Sequence, residues 1–338
     1  MNNETNEEQF FNVIRIETSL VFGTKEDKFF MLSQELDVTR NNLSELAASA
    51  KEAFPEPLRD RPFCIISRRT TPEETFLNQE HFVPEGLGFG WARLPLGFGT
   101  CDRVNHCFSK HELEWLRFGA MGILRPFFVA EGKNDPPEFH SPTKKSRLVT
   151  FTHNSHGKFV IEVRSCVPLN IPDEGENGEL GINLPASDSN STSVSLALHK
   201  MAYLALYVAQ PEMILDPGFN RLIEFLNAPS EHTFMPFREQ FIPGSAPGVT
   251  LRFYVDMKEM SNENEGDRRI FGLEGLYVTM TVHHMLYFLA LVGEFPETEL
   301  PETAQLREYE EFGHPRKRLT KIAFRFGRVL RLHNTSAL

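Results

Sequence analysis

The sequence has few cysteines and no long hydrophobic run, and both absences limit what the protein can be. Its 338 residues include four cysteines, too few for a disulfide framework in a chain of this length. The longest apolar run, residues 285–292, is well short of the roughly 20 residues that a membrane-spanning helix needs. The amino terminus is polar and acidic, unlike a secretion signal. We therefore expect a cytoplasmic protein with no membrane partner.

Basic residues are also in deficit, with 35 lysines and arginines against 46 acidic residues and a formal net charge of −11. This balance disfavours indiscriminate wrapping of nucleic acid by the whole protein. Two stretches, residues 144–164 and 316–331, are nevertheless rich in bases. We expect phosphate contacts there if the protein binds DNA, although a solvated charged face explains the second stretch equally well. The candidate nucleic-acid-binding residues are Lys144, Lys145, Arg147, Arg316, Lys317 and Arg318.

The composition is that of a folded globular protein, with 41% hydrophobic residues and 30 phenylalanines. A chain of this length is expected to hold two or three folding units. Residue spacing predicts strands as well as helices, so the expected fold class is α+β. We divide the chain into an N-terminal α/β extension at residues 1–60, a central unit at residues 61–135, and an α+β C-terminal region with a basic tail at residues 136–338.

Local patterns predict elements on both sides of the central unit. In the extension, alternation predicts a strand over residues 11–16, and a helix is predicted over residues 41–54 with Asn42 or Ser44 as its cap. Farther along, residues 195–210 have apolar positions at helical spacing and predict an amphipathic helix. The other predicted elements are a β-hairpin at residues 148–163 and an antiparallel sheet of strands at residues 249–257, 270–282 and 285–292.

The central unit carries a combination of residues that packing alone does not explain. Glu80 and His81 stand together, a Pro-Glu pair and a Leu-Gly turn follow them, and a Cys-x-x-x-Asn motif ends at Asn105. In a strand–strand–helix order, the end of the hairpin and the start of the helix can face one point, so Glu80 and Asn105 can converge. The predicted elements are strands at residues 63–67 and 80–83 and a helix at residues 110–118.

This segment resembles the HNH, or ββα-metal, endonucleases. In one bacterial subgroup the centre reads Glu-His-Ile-Ile-Pro-Glu-x-Leu-Gly-Gly, followed by Cys-x-x-Cys-Asn-Asn-x-Phe. The resemblance covers roughly residues 62–226 and includes residues 195–202, which are similar to an Ala-Leu-His-Lys-x-Ala helix of the subgroup. The matching residues of the centre are Cys64, Glu80, His81, Pro84, Glu85, Leu87, Gly88, Cys101, Asn105 and Phe108.

The resemblance implies an α+β protein whose ββα-metal (HNH) nuclease core lies between the N-terminal extension and a C-terminal helix plus antiparallel sheet region. By position, it implies that His81 is the general base and that Glu80 and Asn105 hold one Mg²⁺ or Mn²⁺. Phosphodiester hydrolysis needs a base that deprotonates water and a cation that neutralises charge on phosphate oxygens. An imidazole with a pKa near ~6.5 suits the first role. Carboxylate and amide oxygens suit the second role, as ligands of a hard cation.

The subgroup also has two Cys-x-x-Cys pairs that bind structural zinc, and each pair is incomplete here. Two thiolates cannot complete a tetrahedral four-cysteine site. Either Cys107 and His106 substitute, or apolar packing around Ile66 and Val104 replaces the metal. We favour the second alternative and predict no structural zinc. The four positions are occupied by Cys64, Ser67, Cys101 and Val104.

Two functions remain open at this point. The first is a metal-dependent HNH endonuclease that cleaves DNA in restriction, phage defence or mobile-element biology. The second is a catalytically decayed HNH-fold binding or scaffold protein that acts through its C-terminal region. The missing cysteines favour the second function, and Phe89 and His106, in place of the subgroup's second glycine and second asparagine, point to weakened or lost catalysis. The intact Glu80, His81 and Asn105 favour the first function. A protein partner and a homo-oligomer are both open.

Overall fold

The computed structural model describes the residues that follow, and all structural statements below concern these residues. They are 13–23, 28–118, 121–122, 124–125, 138–140, 148–153, 159–164, 180–182, 190–242, 248–260, 270–294, 307–309 and 322–324. The α-helices are α1 (Leu43–Glu52), α2 (Glu56–Arg59), α3 (Asp102–Arg117), α4 (Ser191–Ala209) and α5 (Asn220–Asn227).

The strands are β1 (Val13–Gly23), β2 (Lys28–Thr39), β3 (Glu138–His140), β4 (Leu148–His153), β5 (Phe159–Arg164), β6 (Leu180–Ile182), β7 (Phe237–Phe241), β8 (Val249–Met260), β9 (Ile270–Val282), β10 (Met285–Val292), β11 (Arg307–Tyr309) and β12 (Ile322–Phe324). Helices and strands together make an α+β protein, as the residue spacing predicts. The β4–β5 hairpin is also confirmed, with Leu148 opposite Arg164 and His153 opposite Phe159.

The largest element is a seven-stranded sheet in the spatial order β2-β1-β8-β9-β10-β7-β11. Strands β1 and β8 pair in parallel, and the other neighbouring strands pair antiparallel. The antiparallel pairing predicted for the strands at residues 249–257, 270–282 and 285–292 is confirmed by β8, β9 and β10. The sheet as a whole is mixed, because β1 from the start of the chain pairs in parallel with β8. Strands of the N-terminal extension and of the C-terminal region thus share one sheet.

Helix α4 lies at the centre of the described fold. It packs on β1, β8 and β10 and also contacts α1, α3 and α5. Almost every residue of α4 is buried, from Ser191 through Val208, so the prediction of an amphipathic helix is wrong. A helix that is buried on all sides has no solvent-exposed face, so its sequence needs no stripe of polar residues. Asn190 begins the helix, because its side-chain oxygen accepts a hydrogen bond from the Ser193 backbone at 3.0 Å.

Helix α1 confirms the helix predicted at residues 41–54, and β1 extends the strand predicted at residues 11–16 to Gly23. Asn42 precedes α1, but its side chain does not cap the helix. It accepts instead from the Thr39 backbone at 2.7 Å and donates to the Asp37 carbonyl at 2.8 Å. Asn42 therefore shapes the turn between β2 and α1.

The segment between α2 and α3 contains less regular structure than predicted. The strands predicted at residues 63–67 and 80–83 are reduced to single antiparallel bridges, Phe63 with Thr70 and His81 with Arg93. Glycines at 88, 97 and 99 have positive φ and turn the chain repeatedly in this segment. Helix α3 begins at Asp102, eight residues before the predicted start (110 − 102). The Asp102 carboxylate accepts hydrogen bonds from the Leu77 and Asn78 backbones, which attaches the helix start to the preceding loop.

Candidate functional site

Glu80 and His81 lie on a short extended segment that pairs with residues 92–94. Phe82 donates to the Ala92 carbonyl at 3.2 Å, and Leu94 donates to the Glu80 carbonyl at 2.7 Å. Side chains alternate between the two sides of an extended chain. Glu80 and Phe82 accordingly point into the core, whereas His81 is only half-buried. The two neighbouring candidate residues therefore lie in different environments.

The Glu80 carboxylate is engaged at both oxygens. Its Oε1 accepts from the Nζ of Lys200, on helix α4, at 2.8 Å. Its Oε2 accepts a hydrogen bond from the hydroxyl of Thr100. Only 2% of the Glu80 surface and 1% of the Lys200 surface remain exposed. The residue that the family resemblance assigns to metal binding is thus half of a buried ion pair.

Lys200 binds a second carboxylate as well. Its Nζ lies 2.6 Å from Oε1 of Glu112, on helix α3, and 5.3 Å from the centre of the Phe108 ring. Burial alone lowers the pKa of Lys200, but the charges of Glu112 and Glu80 raise it by more, so the ammonium stays protonated. Burial and the nearby Glu80 charge raise the pKa of Glu112, and Lys200 opposes this shift. The triad joins α3, α4 and the Glu80 segment through one buried cation.

His81 lies on the outer side of the same segment. Its Nε2 accepts from Nε of Arg93 at 2.9 Å, and Arg93 also donates to the Gly90 carbonyl at 2.9 Å. Nη2 of Arg93 lies 3.3 Å from the Glu85 carboxylate. Burial lowers the pKa of His81; Glu85 opposes the shift and Arg93 adds to it. The imidazole is therefore neutral at neutral pH, but a guanidinium occupies its Nε2 lone pair.

Asn105 lies in the first turn of α3, next to the Glu80 segment. Its side-chain amide donates to the Gln79 carbonyl at 3.3 Å. The structure thus brings Asn105 beside the residue before Glu80, while the Glu80 carboxylate turns toward Lys200. In the part of the chain that the structure describes, no three or more histidine, cysteine or acidic side chains are grouped so that they could hold a metal ion.

The four positions that correspond to the zinc ligands of the subgroup lie close to the start of α3. Cys64 and Cys101 are buried and hydrogen-bonded to each other, and Cys64 Sγ also accepts from the Ser67 backbone at 3.2 Å. Burial raises the pKa of Cys64, but hydrogen bonds from Cys101 and Ser67 lower it to about 6. Val104 and Ile66 are buried in the core. The absence of structural zinc stays a prediction.

The sequence contained one signal for the partner of Glu80. Lys200 is the only lysine, arginine or acidic residue in helix α4, which is otherwise apolar or neutral. A charge inside such a helix needs a buried counter-charge, because an unpaired buried ion is very unfavourable. From the sequence alone, Lys200 is interpreted as a residue of a helix that supports the core, and no pattern connects it with Glu80. The neighbouring His199 is also buried, with its Nδ1 2.8 Å from the Ser195 carbonyl oxygen.

The six candidate nucleic-acid-binding residues lie outside the described residues, so the structure does not locate them. They are Lys144, Lys145, Arg147, Arg316, Lys317 and Arg318. Among the described helices, none combines the length and the apolar character that crossing a bilayer requires.

Comparison with known proteins does not assign the chain to a family. No family model matches the sequence, and neither a curated protein nor a solved structure shows significant similarity to it. The likeness to the HNH endonucleases therefore depends on the motif residues between Cys64 and Phe108 and on the similarity at residues 195–202.

Proposed function

We propose that the protein is a DNA-binding protein built on an HNH-type core that has lost metal-dependent cleavage. The observation that carries this proposal is the buried ion pair between Glu80 and Lys200. In an HNH nuclease, the residue at this position would give its carboxylate to the catalytic cation. Here both carboxylate oxygens already bind groups of the protein.

Mg²⁺ and Lys200 compete for the same carboxylate. Mg²⁺ takes oxygen ligands at about 2.0–2.1 Å in a strict octahedral geometry and retains several waters. The Glu80 carboxylate is buried and lies 2.8 Å from a positive ammonium, which repels a second cation. Moving Lys200 away would leave its charge buried without Glu80, at a cost of several kcal/mol. The residues present therefore do not fit a catalytic metal at Glu80.

The exposed face of α3 supports binding to DNA. Arg103, Lys110 and Arg117 are seven residues apart and exposed, so they form one row along the helix. Arg103 also pairs with Glu74 at 2.7 Å but keeps half of its side chain exposed. Each acidic residue of α3 binds a group of the protein: Asp102 accepts from the backbones of residues 77 and 78, Glu112 binds Lys200, and Glu114 accepts from the Asn190 backbone.

A protein with a net charge of −11 thus presents a row of three exposed bases on α3. Phosphate groups bind such a surface with little dependence on base sequence and with strong dependence on salt. We expect α3 to contact the DNA backbone together with the basic stretches at residues 144–147 and 316–318.

A metal-dependent endonuclease is the second candidate function, and His81 favours it. A neutral, partly exposed imidazole is the form that a general base requires, and Asn105 lies beside the same segment. This activity would require Arg93 to release Nε2 of His81 and Lys200 to release Glu80. One ordered contact therefore has to break at each of the two residues before either can act.

A paired cleavage and binding experiment separates the two functions. Purified protein is incubated with plasmid DNA and Mg²⁺ or Mn²⁺, and binding to a DNA duplex is measured in chelator across a salt series. We expect no cleavage, salt-dependent binding, and a salt slope that is smaller by about two in a Lys110→Glu/Arg117→Glu variant. His81→Ala should bind as the wild type does.

The other outcomes decide against the proposed function or against the role of α3 in it. Cleavage that His81→Ala abolishes would establish the endonuclease instead. If the protein neither binds nor cleaves DNA, both functions are wrong. Binding that the α3 variant leaves unchanged would remove α3 from the interface.

A further inference from the structure

We propose that Arg125 and Arg117 form a binding site for a phosphate group where helix α3 ends. The site lies apart from the Glu80–Lys200 ion pair, and the DNA contacts proposed above do not include Arg125. Arg117 belongs to the row of exposed bases on α3, so assigning the site to a phosphate of DNA rests on the proposed function. The existence of a phosphate site does not.

The chain that follows α3 holds Arg125 against the protein. A Cβ at Gly122 would lie only 2.2 Å from the carbonyl oxygen of Arg117, so the chain passes very close to the last residue of the helix. Met121 and Leu124 are buried in the core on either side of this contact. Arg125 comes directly after Leu124, so its backbone is fixed near the end of α3.

The guanidinium of Arg125 lies beside the 3₁₀ turn Glu85–Leu87. The position that a Cβ of Gly86 would take is 3.6 Å from Nη1 of Arg125 and 2.7 Å from Cδ1 of Leu116. Arg125 and Leu116 are therefore neighbours, and Arg117 is the next residue along α3. The side chain of Arg125 is half-buried, and its Nε has no contact with solvent.

This guanidinium has no acidic partner. Among the residues that the structure describes, none hydrogen-bonds to the buried Nε of Arg125 and none forms an ion pair with its side chain. Burial lowers the pKa of Arg125, and the charge of Arg117 lowers it further. Arginine does not lose its proton in proteins, so the charge remains. The nearby acids bind other groups: Glu85 binds Arg93, Glu112 binds Lys200, and Glu114 binds the Asn190 backbone.

An anion from outside the chain would supply the missing counter-charge. A partly buried charge without a partner is unfavourable, and a second arginine nearby increases the repulsion. A guanidinium presents a planar fork of N–H donors that binds two oxygens at once. A phosphate group has enough oxygens for two such forks, whereas the two oxygens of a carboxylate fill one fork. Phosphate is therefore the anion that Arg117 and Arg125 can bind together.

A DNA strand is one source of this phosphate. Arg103, Lys110 and Arg117 form the exposed row on α3, and Arg125 lies just beyond the end of that row. A strand whose phosphates follow the row would therefore bring a further phosphate to Arg125. Free phosphate in solution has the same chemistry. The test has one arm for each source.

The first arm uses inorganic phosphate. Thermal unfolding of the full-length protein is compared in phosphate and in chloride at equal ionic strength, with Arg125→Met as the variant and Arg221→Met, at an exposed arginine on α5, as the control. Phosphate stabilises folded proteins in general, so the effect of the site is the additional shift that the variant lacks. We expect about 2 °C, in wild type and control alike, at roughly ten times the dissociation constant.

The same arm separates a ligand site from a structural arginine. In chloride, Arg125→Met should melt no lower than the wild type, because the substitution removes an unpaired charge. A structural arginine would instead make the variant less stable by the same amount in both salts.

The second arm uses a DNA duplex in chelator across a chloride salt series. Arg125→Met should reduce the salt slope by about one, and Arg221→Met should leave it unchanged. A phosphate shift without a change of slope would assign the site to free phosphate, and a change of slope without a phosphate shift would assign it to DNA. If the wild type does not bind DNA, the proposed function is wrong, and the phosphate arm alone decides about the site.

Two results overturn the phosphate site. One is an Arg125→Met variant that responds as the wild type does in both arms, and the other is an equal loss of stability in chloride and in phosphate. If Arg125→Met does not fold, Arg117→Met takes its place, because Arg117 is exposed. Loss of the phosphate shift or of one unit of salt slope in this variant supports the site, and a wild-type response in both arms overturns it.

Discussion

Replacing Lys200 with methionine removes the ammonium group from between Glu80 and Glu112 and keeps most of the side-chain volume. Lys200 Nζ lies 2.8 Å from Glu80 and 2.6 Å from Glu112, and it is almost completely buried. Without it, two carboxylates share a buried site with no positive partner. The variant should therefore lose stability through an uncompensated charge rather than through a cavity.

The expected loss is about 3–5 kcal/mol at pH 7.5, the range found when one partner of a buried ion pair is removed. The loss should become smaller at pH 5. In the variant, burial and the charge of Glu80 raise the pKa of Glu112 above that of the unfolded chain, and Lys200 no longer opposes this shift. An acid with a raised folded pKa contributes stability at low pH and loses it as the pH rises through the folded pKa. Protonation at pH 5 therefore restores part of the lost stability.

Urea unfolding followed by tryptophan fluorescence measures this loss, since Trp115 is buried in α3 beside Tyr287. Lys110→Met is the matched control, because Lys110 is an exposed lysine on α3 and the same substitution there should cost less than about 0.5 kcal/mol. A Lys200 variant within about 1 kcal/mol of the wild type at pH 7.5 would refute the reasoning. So would a loss that is equally large at pH 5.

Two further predictions follow from the buried groups. Elemental analysis should find no stoichiometric zinc, and chelation should leave the melting temperature unchanged, because only Cys64 and Cys101 remain of the four zinc ligands. About one tightly held zinc per chain would contradict this prediction. Burial lowers the pKa of both His199 and His283 to about 4, so the unfolded chain binds more protons than the folded chain between pH 6.5 and 4. The free energy of unfolding should therefore decrease as the pH is lowered, by about 2 kcal/mol for each histidine at pH 5. Asparagine tolerates the positive φ at position 283, so His283→Asn should reduce the slope of unfolding free energy against pH by about one proton. Urea unfolding across a pH series measures this slope, and an unchanged slope would exclude His283 as a cause.

The sequence predicts best those elements whose signal is local. The β4–β5 hairpin, helix α1 and strands β8 to β10 all lie where alternation, helical spacing and turn residues place them. The prediction for α4 was wrong in one respect: the helix exists, but its surroundings cover every side. The start of α3 was also wrong, because the bonds that anchor Asp102 come from residues 77 and 78, which helical periodicity does not include.

The sequence by itself determined that Glu80 and His81 are neighbours and that an extended chain turns them to opposite sides. It did not determine which side is the core, nor what Glu80 meets there. The partner Lys200 is 120 residues away, and the parallel pairing of β1 with β8 spans most of the chain. These pairings depend on how the helices and strands pack. The sequence does not specify them, because a charged side chain can pair with any well-placed counter-charge and a strand edge can pair with any suitable strand. Only the tertiary structure made Glu80 part of a buried ion pair and left His81 half-buried beside Arg93.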